Sequence, residues 1–439
     1  MTRSARQISI TGLGAVSAWG WGTAPLWEGL CSGRTAIRPF DRFPAAEQRT
    51  HLAAQAPPPP DCLADALTRW ADSAGSAGWD EGSLADRFAL AAAREALAGA
   101  HPLPPDATGV YFGGSTAGMF ESEEVFDRLL RGDADVDLAP LVSQPLDNPA
   151  AAVARALGVR GPVVTVSSAC ASGTQALGLA LDALRAGEVE VALVGGADSL
   201  CRLTYSGFNA LRVVDPEACR PFRDGRAGMS LGEGAGILVL ETEERIAERR
   251  RRGEAVRVRA LLRGVGNSCD AHHMTAPRPD GLGAALATRR ALADAGADPD
   301  DVVFLNAHGT GTPLNDASEW RGFAQVFGPR APSLLLTATK ASVGHLLGSS
   351  GALEAVATVL CLENGVVHPT PGDGAIDPET PAGLVRGAPA PLPRLDSDLH
   401  AGRHLAVSTS FGFGGANAAA VFQAPMGAAA GGAGGEESA

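Results

Sequence analysis

Apolar and polar positions along the chain follow two alternating periods. Short runs rich in Val, Ile and Leu predict β-strands at residues 8–11, 109–113, 163–167, 191–194, 237–241, 257–265, 302–306, 334–337, 404–409 and 418–422. Between them, apolar residues recur at i, i+3 and i+4. That spacing predicts helices at 84–99, 150–157, 173–186, 243–252, 283–295, 318–327 and 351–363. Alternation of this kind predicts an α/β protein with covered sheets. Two stretches share one plan of strand, sharp small-residue turn and helix: Val163-Val-Thr-Val-Ser-Ser-Ala-Cys-Ala-Ser-Gly and Leu334-Leu-Leu-Thr-Ala-Thr-Lys-Ala-Ser-Val-Gly. They lie about half a chain apart, which points to an internal duplication. The break falls near residue 255, between an N-terminal half at 1–254 and a C-terminal half at 255–424. Residues 41–82, with Ala56-Pro-Pro-Pro-Pro60, read as a long surface excursion, and the Ala/Gly-rich 425–439 as a disordered tail.

Composition narrows the class. With 45% hydrophobic residues in 439, the chain has material for a large core, so a disordered polyanion is excluded. The balance of 36 basic to 49 acidic residues, net −13, excludes a bulk electrostatic nucleic-acid binder. No apolar run reaches the roughly 18 residues of a membrane span, and the first residues carry no apolar leader. No membrane partner is therefore expected. Seven cysteines without a framework spacing suit free thiols in a reducing cytoplasm. Of the basic residues, the sole lysine is Lys340. Arg and Lys differ in size, hydration and tunability, so this position is a candidate for needing an ammonium.

Cys170 follows a β-branched strand and opens a helix in Ser-Ser-Ala-Cys-Ala-Ser-Gly. A helix N-terminus stabilises a thiolate, and small neighbours permit a nucleophile turn. A buried structural cysteine is the competing reading. His308 ends a strand in Asn-Ala-His-Gly-Thr-Gly-Thr-Pro, where Thr310 and Thr312 can hydrogen-bond a polar substrate arm. His345 follows Lys340 by five residues in Lys-Ala-Ser-Val-Gly-His. Either histidine could instead be a structural hydrogen bonder. Ser410-Phe-Gly-Phe-Gly-Gly-Ala-Asn417 and Gly12-Leu-Gly14 lack the features of phosphate or dinucleotide loops. Cys269-Asp-Ala-His-His273 lacks a zinc spacing, so no metal is expected.

Taken in order, Ser168-Ala-Cys-Ala-Ser-Gly, Asn306-Ala-His-Gly-Thr-Gly-Thr-Pro, Lys340-Ala-Ser-Val-Gly-His and Gly412-Phe-Gly-Gly-Ala-Asn resemble the β-ketoacyl-acyl carrier protein synthases. The likeness is to the elongating synthase II type within the thiolase-like superfamily. Arg220-Pro-Phe, Gly232-Glu-Gly-Ala and Asp270-Ala-His-His-Met-Thr match as well, while 41–82 and the tail match poorly. The resemblance implies a duplicated αβαβα five-layer thiolase fold and a dimer. The dimer is either a homodimer or a heterodimer with a chain-length-factor-like subunit. It implies a Cys170, His308 and His345 triad supported by Lys340, with Glu319, Glu354 and Asp316 as acidic partners. The oxyanion hole would be the N–H groups of Cys170 and Phe411. Thr310 and Thr312 would hold the phosphopantetheine arm of an acyl carrier protein, with no cofactor bound to the chain itself. Phe411 would gate the site, Phe208 would line the acyl pocket and the small Ala169 would leave room beside the nucleophile.

The implied reaction is a decarboxylative Claisen condensation of an acyl thioester with malonyl-acyl carrier protein. A thiolase would need a second late cysteine; the last here is Cys361, inside a helical run. A non-catalytic chain-length-factor subunit would lack Cys170. Gly311 and Asn315 look more like polyketide or polyene synthases than fatty-acid elongation enzymes, the alternative. Carrier proteins are acidic, so docking calls for local basic residues; Arg223, Arg128, Arg131 and the run at 249–252 are candidates, although that run also suits a solvated helix end.

Overall fold

Each predicted strand and helix forms, with ends that differ from its pattern by one to several residues. The computed structural model describes residues 6–63, 65, 67, 82–98, 102–393 and 404–425. The N-terminal half runs β1 (Ile8–Ser17), α1 (Thr23–Cys31), α2 (Leu84–Ala96), β2 (Thr108–Gly113), α3 (Met119–Arg131), α4 (Asn148–Leu157), β3 (Val163–Val166), α5 (Ser172–Ala186), β4 (Val191–Asp198), α6 (Arg202–Ala210), β5 (Gly234–Thr242) and α7 (Glu243–Arg251). Then follow β6 (Ala260–Cys269), α8 (Leu282–Ala295), β7 (Val302–Asn306), α9 (Pro313–Phe327), β8 (Leu335–Thr337), α10 (Lys340–Val343), α11 (Ser350–Asn364), β9 (Leu405–Phe411) and β10 (Ala416–Gln423). Helices α1, α3, α6 and the single turn α10 have no counterpart among the predicted helices.

The duplication is written in the topology. The strands of the first half lie in the order β3-β2-β4-β5-β1 and those of the second in the order β8-β7-β9-β10-β6, the same arrangement by position in each half. The directions repeat too: β2 is parallel to β3 and β4, β7 is parallel to β8 and β9, and the remaining pairs are antiparallel. The half-sheets join where Ile8–Ile10 of β1 pairs with residues 260–262 of β6. Helices α2 and α4 cover one outer face, and α8 and α9 the other. Between the sheets lie α5 and α11, packed on each other and on both sheets, which gives five layers.

Small residues set these distances. A Cβ at Gly12 would sit 1.9 Å from the Ala96 carbonyl oxygen, and one at Gly14 1.8 Å from that of Ala92. The Gly-Leu-Gly pair therefore lets β1 touch the backbone of α2, a packing role in place of a nucleotide one. In the central layer, a Cβ at Gly173 would lie 2.7 Å from the Ala352 nitrogen, so α5 and α11 meet backbone to backbone. Their N-termini, each preceded by one of the two matching turns, thus share one place at the centre.

The surface excursion expected at 41–82 is corrected over residues 43–56, while 57–63 are half-buried or exposed. Arg38–Pro39 pairs with Leu52–Ala53, and Phe43, Thr50, Ala53, Ala54 and Ala56 are buried. Arg42 forms an ion pair with the fully buried Glu233, whose carboxylate also accepts from the N–H groups of Ala56 and Leu200. Residues 64, 66, 68–81 and the expected tail from 426 onward lie outside the described residues. No helix among the described residues is long and apolar enough to cross a membrane.

Candidate active site

The turn after β3 holds Cys170. Ser172 ties it together, its Oγ accepting from the Ser168 N–H at 2.8 Å and donating to the Ala169 carbonyl at 2.6 Å. Ala169 is forced to a φ of +52°, strain of the kind stored at sharp nucleophile turns. Gly412 lies against this turn: a Cβ there would meet the Ser168 oxygen at 2.9 Å and the Cys170 nitrogen at 3.1 Å. That approach brings the Phe413 N–H to the Cys170 sulfur, beside the N–H of Cys170 itself. The expectation that Phe411 supplies this donor is corrected. Phe411 is the last residue of β9, paired with Asn417, and its ring lies 5.8 Å from that of His308. A helix N-terminus was also expected to favour the thiolate. Burial outweighs it and pushes the Cys170 thiol up to about 11, with the Lys340 charge pulling the other way.

His345 follows the matching turn. Its Nε2 is 2.9 Å from Cys170 Sγ. Its Nδ1 accepts from the Leu347 N–H at 3.2 Å and lies 2.7 Å from Ser350 Oγ. A backbone N–H can only donate, so the ring proton sits on Nε2, aimed at the sulfur. Leu347 takes a φ of +54° to reach this geometry. His308, at the end of β7, has its Nδ1 3.1 Å from Lys340 Nζ. The ammonium donates there, leaving a proton on Nε2 of this ring as well. The rings stand nearly perpendicular, centroids 5.4 Å apart. Cys170 Sγ and one nitrogen of each histidine lie within 4.8 Å of one another. Burial first and the Lys340 charge second push both imidazoles well below their usual value, so both are neutral at pH 7.

The acidic residues divide their work. Glu354 forms the ion pair with Lys340. Glu319 touches no ammonium; it accepts from the His308 and Gly309 N–H groups at 2.8 and 2.9 Å and from the Thr409 hydroxyl at 2.8 Å, bracing the loop. Burial raises Glu319 and Glu354 to about 7. Asp316 accepts from the Phe222 N–H and faces Arg226 at 3.4 Å. Of the three acidic partners expected for this network, Glu354 is the one that meets Lys340.

A cavity of about 250 Å³ opens onto Cys170, His308 and His345, lined further by Thr310, Thr312 and Phe413. The two threonine hydroxyls are 3.0 Å apart. Phe208 stands behind Phe413, ring centroids 5.7 Å apart, and does not line the cavity. Ala169 sits in the turn itself. Sequence reasoning missed Phe413, Leu347 and Ser350; only Phe413, flanked by glycines, carried a signal. Two docking candidates are corrected. Arg223 is 2% exposed, its guanidinium donating to the Gly372 and Gly374 carbonyls, and Arg249 is buried between Glu241 and Glu254. Arg128 and Arg131 are exposed but pair with Asp133 and Asp127.

A duplicated five-layer fold with a cysteine and two neutral histidines at the meeting of its central helices defines a thiolase-like acyl-transfer enzyme. The chain belongs to the β-ketoacyl synthase family: residues 5–245 match its N-terminal domain and 259–372 its C-terminal domain. It is 33% identical over 433 residues to 3-oxoacyl-[acyl-carrier-protein] synthase 2 of Staphylococcus aureus, covering 95% of this chain and 98% of that one. Among solved structures, the ishigamide ketosynthase/chain length factor superposes with a TM-score of 0.85 at 32% identity, over 96% of this chain and 100% of the other. The type II polyketide ketosynthase AntDE, in complex with the acyl-carrier protein AntF, gives a TM-score of 0.81 at 26% identity, over 96% and 100%.

Proposed function

We propose that this chain condenses an acyl group held on Cys170 with malonyl-acyl carrier protein to give a 3-oxoacyl-carrier and carbon dioxide. The observation that carries the reading is the convergence of Cys170 Sγ with one nitrogen of His308 and of His345 within 4.8 Å. Cys170 attacks an acyl-carrier thioester; the acyl–sulfur bond to the enzyme forms, that to the carrier breaks, and the thiol proton ends on the departing carrier thiol. The N–H groups of Cys170 and Phe413 receive the developing oxyanion, a role in which each donor is worth about 3 kcal/mol. A malonyl-carrier then binds, its pantetheine arm held by Thr310 and Thr312. The Nε2–H groups of His308 and His345 donate to its thioester oxygen and stabilise the enolate left when carbon dioxide departs. The carbanion attacks the acyl group, and the Cys170 thiolate leaves and takes up a proton. Lys340, held by Glu354, keeps His308 neutral and its Nε2–H available.

We divide the chain at 254/255, supported by the repeated strand order on either side. A second subunit, a further copy or a chain-length-factor-like partner, covers the exposed apolar residues Phe126 (55%), Leu130 (88%), Val142 (75%) and Leu203 (64%) and the free edge strand β3. The similarity to a ketosynthase/chain length factor pair supports that partner, and the similarity to a ketosynthase–carrier complex supports an acyl carrier protein. Gly311 and Asn315 favour polyketide or polyene assembly over fatty-acid elongation. The free thiols favour the cytoplasm. Incubation with acyl- and malonyl-carrier, alone and with a co-expressed second subunit, is expected to yield 3-oxoacyl-carrier and carbon dioxide. Absence of both products under both conditions would contradict the reading.

A further inference from the structure

A third buried imidazole lies outside this mechanism. His368, after α11, is fully buried, and burial pushes its imidazole down to about 4, so it is neutral. Its Nε2 is 3.1 Å from Thr339 Oγ1; its Nδ1 is 3.1 Å from Thr337 Oγ1 and from the Pro369 carbonyl oxygen.

The direction of the hydrogen bonds can be read from Asn306. Its Nδ2 donates to the Glu354 carbonyl and to Thr358 Oγ1, both at 3.1 Å. Its Oδ1 therefore faces Thr339 and accepts that hydroxyl's proton at 3.0 Å. The Pro369 carbonyl can only accept, so the neutral ring carries its proton on Nδ1, and His368 Nε2 shares the Thr339 hydroxyl as an acceptor beside Asn306 Oδ1. A single chain runs His368 to Thr339 to Asn306 to the Glu354 carbonyl. Every side chain in it is buried and none lines the catalytic cavity.

The chain touches the three elements that carry the Lys340 cluster. Thr339 immediately precedes Lys340, Asn306 lies two residues before His308 on β7, and Glu354 supplies the carboxylate of the ion pair. The His345 side is anchored separately, by Leu347 and Ser350. We infer that His368, acting through Thr339 and Asn306, is a positioning residue that fixes where Lys340, Glu354 and His308 stand relative to one another. The inference rests on the functional reading above, in which His308 serves decarboxylation.

The test separates the two half-reactions. Acyl transfer to Cys170 is followed by intact mass, and carbon dioxide release from malonyl-carrier is followed separately. Thr339→Val keeps the side-chain shape and removes the hydroxyl; His368→Leu removes the imidazole. Both are expected to hold acyl transfer within about two-fold of wild type and to slow carbon dioxide release by about ten-fold or more, as a small misplacement of a catalytic group does. Thr339→Ser, which keeps the hydroxyl, is expected to restore it. A parallel fall of both steps, or an unchanged carbon dioxide release in Thr339→Val, would overturn the inference. A wild-type enzyme that acylates but releases no carbon dioxide would overturn the functional reading and the inference with it.

Discussion

At the scale of residues, the sole lysine is the most informative. Lys340 is 1% exposed, pairs with Glu354 and donates to His308. An ammonium against an imidazole opposes its protonation, and the Lys340 charge adds to burial in holding His308 down. Removing it makes His308 easier to protonate, so the imidazolium appears at higher pH. Lys340→Met is therefore expected to shift the acid limb of carbon dioxide release upward, measured from about pH 5 to 8, the range in which histidine titrates when less perturbed. An unmoved limb would contradict the role. Lys340→Arg is expected to fail as a replacement, because a buried site fitted to an ammonium leaves no room for the planar guanidinium. The same scale shows what sequence could not reveal. Nothing in the pattern tells that Arg223 spends its guanidinium on two carbonyls, or that Glu319 braces a backbone while Glu354 takes the ammonium.

At the scale of elements, two strand–turn–helix units face each other, and the loop at 412–415 closes on the first. Gly412 permits that closure, since a Cβ would meet backbone atoms of Ser168 and Cys170. Gly412→Ala is expected to push the Phe413 N–H away from the sulfur and slow acyl transfer by about a hundred-fold, the usual loss for one oxyanion donor. An unchanged rate would remove Phe413 from the hole. Strands and helices were legible because buried faces impose their period on the sequence. Helix α6 was not, since Thr204, Ser206 and Gly207 are poor helix formers held there by packing. Nor was α3, whose apolar Phe126, Leu129 and Leu130 point outward instead of into a core. Phe411 and Phe413 look alike in sequence; which N–H reaches the sulfur depends on the turn, where Gly414 takes a φ of +81°. Residues 41–56 looked like a loop because their burial rests on distant partners, Arg42 with Glu233, Phe43 with Tyr205 and Thr50 with Asn209.

At the scale of the whole molecule, the duplication places the catalytic groups of both halves on one axis of contact between α5 and α11. Among the described residues, an exposed apolar region lies on α3, the segment after it and α6, beside the edge strand β3. Monomers rarely keep such a face exposed. Sedimentation of the native protein is expected to give a two-subunit particle, with itself or with a co-purifying chain. Phe126→Glu combined with Leu130→Glu is expected to shift it to monomer and abolish condensation. A fully active wild-type monomer would contradict the partner. The net charge of −13 repels acidic carriers globally, so recognition has to be local, at the mouth of the cavity.

The central claim is that Cys170 carries the acyl group. Intact-mass spectrometry after incubation with acyl-carrier thioesters of several lengths and saturations, wild type beside Cys170→Ala, tests it most directly. An acyl adduct on wild type that is absent from Cys170→Ala is the expected result. An adduct that persists in Cys170→Ala, or none on wild type from any donor with the second subunit present, would contradict it.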